Sequence, residues 1–147
     1  MPSKPPWITL AEGELGVHEM RGGENPRILE YFTATTLKAT EDEVPWCSAF
    51  VNWVMRECGM ERSRSAAARS WLKYGKRLAG YEQYSIVVLR RGSSLWQGHV
   101  GFAVDDLGSH IGVLGGNQGD EVSFQIFPKS HVIGYARPAP LTTSPIL

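Results

Sequence analysis

The sequence predicts an α+β domain in which N-terminal helices pack on a C-terminal antiparallel β-sheet. Three observations carry that prediction. Apolar residues recur at helical spacing in the N-terminal half, most clearly between Pro45 and Gly59. After Gly80 they come instead as short apolar runs separated by turn residues. Strands that follow one another without intervening helices pair antiparallel, and a run of helices followed by a run of strands is the α+β pattern. The 147 residues amount to one domain, read here as residues 1–147 with a core over about 8–137 and a loose tail over 138–147. A hydrophobic share of 42% against 20% charged excludes wholesale disorder.

The elements follow in order. Pro5-Pro6-Trp7 opens a first helix carrying Ile8, Leu10, Ala11 and Leu15 and ending at Gly16. Gly22-Gly23-Glu24-Asn25 is a turn, and Asn25-Pro26 is an N-cap followed by proline at the first helical position. Ile28, Leu29 and Phe32 form the apolar stripe of that second helix. Thr40-Glu41-Asp42-Glu43 is an acidic loop. Pro45 suits the first turn of the next helix and Gly59 its left-handed C-terminal cap. Between them Cys47, Phe50, Val51, Val54, Met55 and Cys58 keep the i, i+3, i+4, i+7 rule. A further helix is expected over Ser65–Tyr74, capped by Gly75, with Trp53 and Trp71 at core positions. Strands are expected over residues 86–89, 100–104, 111–114, 122–127 and 132–135. The three prolines between Pro138 and Leu147 make that tail loose.

Charge and cysteine usage narrow the function. Fifteen basic and fifteen acidic residues cancel, which argues against a whole-molecule grip on nucleic acid or anionic lipid. No apolar run approaches the length of a membrane span. The N-terminus has no apolar stretch of the kind a secretory signal needs. On one helix, Cys47 and Cys58 stand about 16 Å apart along the axis, whereas a disulfide needs Cα atoms within about 7 Å. Each thiol needs its own explanation.

Cys47 sits in the first turn of its helix, where free N–H groups and the macrodipole favour a thiolate. Taken alone, a cysteine on an apolar stripe is more often a small buried hydrophobe. Cys58 fits that description, since the C-terminal end has the wrong dipole sign for a thiolate. A nucleophilic cysteine needs a base, normally histidine. Of His18, His99, His110 and His131, the first suits a surface or capping role and the last opens a strand without evident partners. His99 and His110 fall in one hairpin that turns through Asp105-Asp106-Leu107-Gly108. With an odd loop, alternation sets His99, Gly101 and Ala103 on one face with Ile111, Val113 and Asn117. Small Gly101 and Ala103 would admit a helix there, so His99 is expected to face the helix with Asn117 as cross-strand neighbour. Asn117 then supplies the neutral acceptor that fixes a catalytic imidazole. The competing reading of Gly115-Gly116-Asn117-Gln118-Gly119-Asp120 is a plain turn. It lacks the pattern of a phosphate loop.

Three blocks in order, Pro45-Trp46-Cys47-Ser48-Ala49-Phe50-Val51, Gly98-His99-Val100-Gly101-Phe102 and Val113-Leu114-Gly115-Gly116-Asn117-Gln118, resemble small cysteine peptidoglycan hydrolases. These are related to the CHAP and NlpC-like branches of the papain-like fold and are often phage-encoded. The weaker segments at 25–28, 67–71 and 128–135 extend the resemblance over about residues 8–137. It implies a papain-like α+β fold, with Cys47 as nucleophile, His99 as base and Asn117 as the residue that orients His99. Ser48 departs from the expected alanine. Trp46 and Gln118, which flank the catalytic positions, are expected to line the substrate groove, with core packing as the alternative for Trp46.

The chemistry so implied is cleavage of an amide or peptide bond in bacterial cell-wall stem peptides, by an endopeptidase or an N-acetylmuramoyl-L-alanine amidase. It calls for no cofactor and no metal. Asp105, Asp106, Asp120 and Glu121 form two acidic pairs rather than a calcium loop. A phage endolysin, made in the host cytoplasm as a monomer and reaching the periplasm or wall through a holin, is the expected setting. The alternatives are a wall-degrading toxin delivered by a secretion system, with an immunity partner, and a wall-binding module without turnover. An ordinary thiol protease is a further reading.

Overall fold

A computed structural model describes residues 3–20, 25–37 and 45–141. The expected turn at Gly22–Glu24 and the acidic loop at Thr40–Glu43 lie outside the described residues. Three α-helices come first: α1 (Pro6–Glu12), α2 (Pro26–Phe32) and α3 (Cys47–Glu57). A 3-10 helix over Ala68–Lys73 leads into six strands. These are β1 (Lys76–Leu78), β2 (Ile86–Arg90), β3 (Gly98–Asp106), β4 (His110–Gly115), β5 (Ser123–Pro128) and β6 (Val132–Arg137). They form one antiparallel sheet in the order β1-β6-β2-β3-β4-β5. The α+β expectation holds. No helix among the described residues is long and apolar enough to cross a membrane.

The helices form for the reasons their sequences give. Asn25 caps α2 by accepting from the Arg27 N–H at 2.9 Å, with Pro26 at the first position. Gly59 takes the left-handed conformation, φ 69°, just beyond α3. The first helix is shorter than expected and stops at Glu12. Glu14, expected inside it, is instead drawn into the core, where its carboxylate accepts from the Tyr31 hydroxyl at 2.7 Å and pairs with Arg27. The expected helix over 65–74 forms only as the 3-10 helix, because the chain before it is held elsewhere. The Ser65 carbonyl accepts from Ser48 Oγ and Asn52 Nδ2, and Ser65 Oγ accepts from the Ala67 N–H. Ser48 Oγ also accepts from Trp71 Nε1 at 2.9 Å, so the departure from alanine is a buried polar tie.

One sheet face packs on the helices through Val88, Val100, Phe102 and Leu114, against Phe50, Val51, Val54, Tyr31 and Ile8. The opposite face carries a second cluster of Val87, Leu89, Ala103, Ile111, Val113 and Tyr135. This corrects the expected orientation of the hairpin. Ala103 does pair with Val113, but both point away from the helices. The space at Gly101 is taken by the Val113 side chain, not by a helix. The helix comes close at Gly116 instead, where an added Cβ would lie 2.7 Å from the Trp46 ring and 2.9 Å from Phe50 Cβ. The sequence reading also missed β1, whose three residues carry no apolar pattern. The tail is not loose as far as it is described. Ala139 donates to the Tyr74 hydroxyl and accepts from Glu61, and Leu141 bonds to Gly59; residues 142–147 lie outside the described part.

Candidate active site

Cys47 is the first residue of α3. The residue before it, Trp46, offers no side-chain cap, and the first turn holds no acidic residue. The amides and dipole of the helix start are therefore left for the sulfur. Cys47 is 4% exposed and unbridged, as is the thiol of Cys58. The β3–β4 ladder begins only at Phe102↔Leu114, so β4 offers no partner to the first residues of β3. Into that gap the start of α3 brings Cys47, and the Val100 backbone N–H donates to its sulfur.

His99 projects from the same stretch of β3, 6% exposed, with its ring 5.5 Å from that of Phe127. It is hydrogen-bonded to Cys47 on one side and to Gln118 on the other. The His99 Nε2–Gln118 Oε1 distance is 2.8 Å. The orientation of the Gln118 amide is fixed by its other bonds. Its nitrogen donates to the Val113 carbonyl at 3.1 Å and to the Ser123 carbonyl at 2.7 Å. The amide oxygen must then be the atom facing His99, and His99 Nε2 must carry the hydrogen. Nδ1 is left unprotonated toward Cys47, which is the tautomer a base for the thiol needs.

The charges agree with the geometry. Burial pushes the Cys47 thiol up, but the hydrogen bond and charge of His99, the Val100 N–H and the Arg91 charge outweigh it and hold the thiol below its ordinary range. Burial likewise pushes His99 down, and its bonds to Cys47 and Gln118 outweigh that and raise it. Both shifts favour a thiolate–imidazolium pair. Cys58 goes the other way, raised by burial and by the neighbouring Glu57 carboxylate.

The structure brings Cys47 and His99 together and corrects the third position. The neighbour of the His99 ring is Gln118, not Asn117. Asn117 would face His99 only if β4 ran on through it. The strand ends at Gly115, and Asn117 takes the left-handed conformation, φ 59°, which turns the next side chain inward. Gly115 has no side chain for a reason the turn reading could not supply: an added Cβ would lie 2.6 Å from Gln118 Oε1. Gln118 is 2% exposed and bonded to His99, and it also lines the cavity on the His99 side. Trp46 is also corrected from groove to core. It is fully buried, stacked near Tyr31 at 5.9 Å, and donates through Nε1 to Glu19 at 3.3 Å. His18 bonds the Gly16 carbonyl and His110 the Ser109 hydroxyl, both exposed and away from the thiol.

Two cavities flank the pair. One, of about 160 Å³, lies on the Cys47 side against Ala67, Ala68, Trp96 and Gly98. The other, of about 220 Å³, lies on the His99 side against Asn117, Gln125 and His131. Arg91 borders both. A larger cavity of about 390 Å³, under Glu61, Lys73 and Tyr74, shares no lining residue with either. Sequence reasoning missed Arg91 and Trp96. Trp96 is 76% exposed and Leu95 beside it 84%, an apolar pair on the β2–β3 loop that alternation and helical spacing do not reach.

Residues 39–117, more than half of the chain, match the family model of the CHAP domain. No curated protein matches the chain.

Proposed function

The chain belongs to the CHAP domain family, and from that premise we propose that it hydrolyses an amide or peptide bond of peptidoglycan stem peptides, with Cys47 as nucleophile and His99 as base and acid. Peptidoglycan hydrolysis is the general activity of that family. The observation that carries the finer reading is the unbroken series Cys47–His99–Gln118, set between two cavities with Arg91 on the border of both.

The steps follow from the arrangement. The Cys47 thiolate attacks the scissile carbonyl carbon, and the carbonyl oxygen takes the electron pair. The backbone N–H of Cys47, at the start of α3, stabilises that oxygen. The imidazolium of His99 gives its Nδ1 proton to the departing amine as the C–N bond breaks. A water then attacks the thioester, His99 takes a proton from it, and the thiolate is released with a carboxylic acid product. Gln118 keeps the ring in one tautomer throughout and accepts more strongly when the ring is charged. Trp96 and the small residues Ala67, Ala68 and Gly98 wall the Cys47 side, where the acyl half of the substrate rests.

An endolysin and a delivered wall-degrading toxin would share this chemistry, and an immunity protein that seals the cleft would mark the second. The test of the catalytic reading is release of new amino groups from purified peptidoglycan. Cys47→Ser and His99→Ala should release none above background while Cys58→Ser releases them at close to the parent rate. Full release by Cys47→Ser would refute the reading.

A further inference from the structure

The cavity on the His99 side has apolar walls in Leu89 and Phe127, and its polar lining is basic or neutral. Arg90, Arg91 and His131 bring positive or protonatable groups to it, and Asn117 and Gln125 bring carboxamides. Among its described lining residues there is no Asp or Glu. The pattern suits a planar anion that accepts from guanidinium and amide N–H groups, which is a carboxylate.

Arg91 is the centre of the pattern. It is exposed, and among the described residues it makes no ion pair and no side-chain hydrogen bond. Arg27, Arg56 and Arg137 are by contrast paired with Glu14, Glu57 and Glu82. Arg90, next to it, donates to the Gly92 carbonyl at 3.2 Å. Arg91 also stands close enough for its charge to act on both Cys47 and His99. An unpaired guanidinium at a cleft is a group held ready for a substrate anion.

The direction of the reaction says which half of the substrate meets it. His99 delivers its proton to the departing amine, so the cavity beside His99 receives the leaving fragment. We propose that this cavity is a carboxylate subsite for the leaving fragment, with Arg91 and His131 as specificity-determining residues. The inference rests on the amide-hydrolase reading above and deepens it. The substrate class is a stem peptide whose released amine belongs to a residue with a free carboxylate. Amidation of that carboxylate, which turns the acceptor anion into a neutral carboxamide, would then weaken the substrate.

Binding and turnover are measured separately. The full chain with Cys47→Ala, which cannot turn over, is titrated calorimetrically with D-isoglutamyl-L-lysine and with D-isoglutaminyl-L-lysine, which differ only in carboxylate against carboxamide. The carboxylate form should bind about tenfold more tightly, one charge-assisted pair in a half-open site. Adding Arg91→Gln should abolish the difference, Arg91→Lys should restore part of it, and the distant Arg137→Gln should leave it intact. Equal binding of the two dipeptides, or a preference that survives Arg91→Gln, would overturn the subsite. Hydrolysis of purified wall by the chain with Cys47 intact is read alongside. Hydrolysis without the preference overturns the subsite alone, and the preference without hydrolysis overturns the reaction alone.

Discussion

Replacing Gln118 with alanine should separate chemistry from folding at the third position of the site. The side chain is buried and makes three hydrogen bonds, to His99 Nε2, the Val113 carbonyl and the Ser123 carbonyl. Only the first bears on catalysis, and it strengthens when His99 becomes an imidazolium. A hydrogen bond to a charged group contributes about 1.5–3 kcal/mol. At about 1.4 kcal/mol per factor of ten, its loss lowers kcat/KM by roughly ten- to 150-fold. The other two bonds set the stability cost, since truncation strands two carbonyls. A chain of this size loses about 2–4 °C of Tm for each kcal/mol. The paired variant is Asn117→Gly, at a residue whose φ of 59° glycine adopts without strain. The assay is release of amino groups from purified wall, with melting temperatures to correct for unfolded protein. Gln118→Ala should lose far more than Asn117→Gly. The reverse order, or parent-like turnover in Gln118→Ala, would refute the hydrogen-bond series and return the orienting role to Asn117.

Four other outcomes follow from the same geometry. Gly116→Ala drives a methyl group into Trp46 and Phe50, an overpacking cost of about 1–3 kcal/mol. A thermal melt should record that loss, and alkylation of Cys47 should slow because the start of α3 must shift. Ser48→Ala removes the acceptor of the buried Trp71 Nε1, which should cost about 1–3 kcal/mol by denaturant titration. With pH, the thiol held below its ordinary range stays ionised into more acidic solution, and the raised His99 stays a proton donor into more alkaline solution. The profile of kcat/KM should therefore be a bell with its acid limb below the usual thiol range. At neutral pH an alkylating agent should label Cys47 ahead of the more exposed Cys58, as peptide mapping would read directly.

The fold class was legible because it rests on periodicity, which survives without knowledge of contacts. The period of 3.6 between Pro45 and Gly59 and the short apolar runs after Gly80 both reappear as α3 and the sheet. Cys47 was legible for a local reason, its place in the first turn of a helix. His99 came from a hairpin that does form, yet the face assigned to it was the wrong one. Alternation tells which residues share a face, not which face the helices cover, and Ala103 and Val113 lie on the far side. Gln118 was out of reach because one left-handed residue, Asn117, ends the strand and exchanges inward for outward. Trp46 and Trp96 show the same limit. The tryptophan beside the nucleophile is buried and the one on a structureless loop lines the cleft, and only the fold decides between them.

The central claim is that Cys47 and His99 hydrolyse an amide bond in the wall. It is tested most directly by digesting purified peptidoglycan in water enriched in oxygen-18 and weighing the soluble fragments by mass spectrometry. The account predicts fragment pairs with a new amine on one member and a single heavy oxygen in the new carboxylate of the other, absent with Cys47→Ser. Heavy oxygen at a sugar reducing end, or the same fragments from the Cys47→Ser chain, would contradict it.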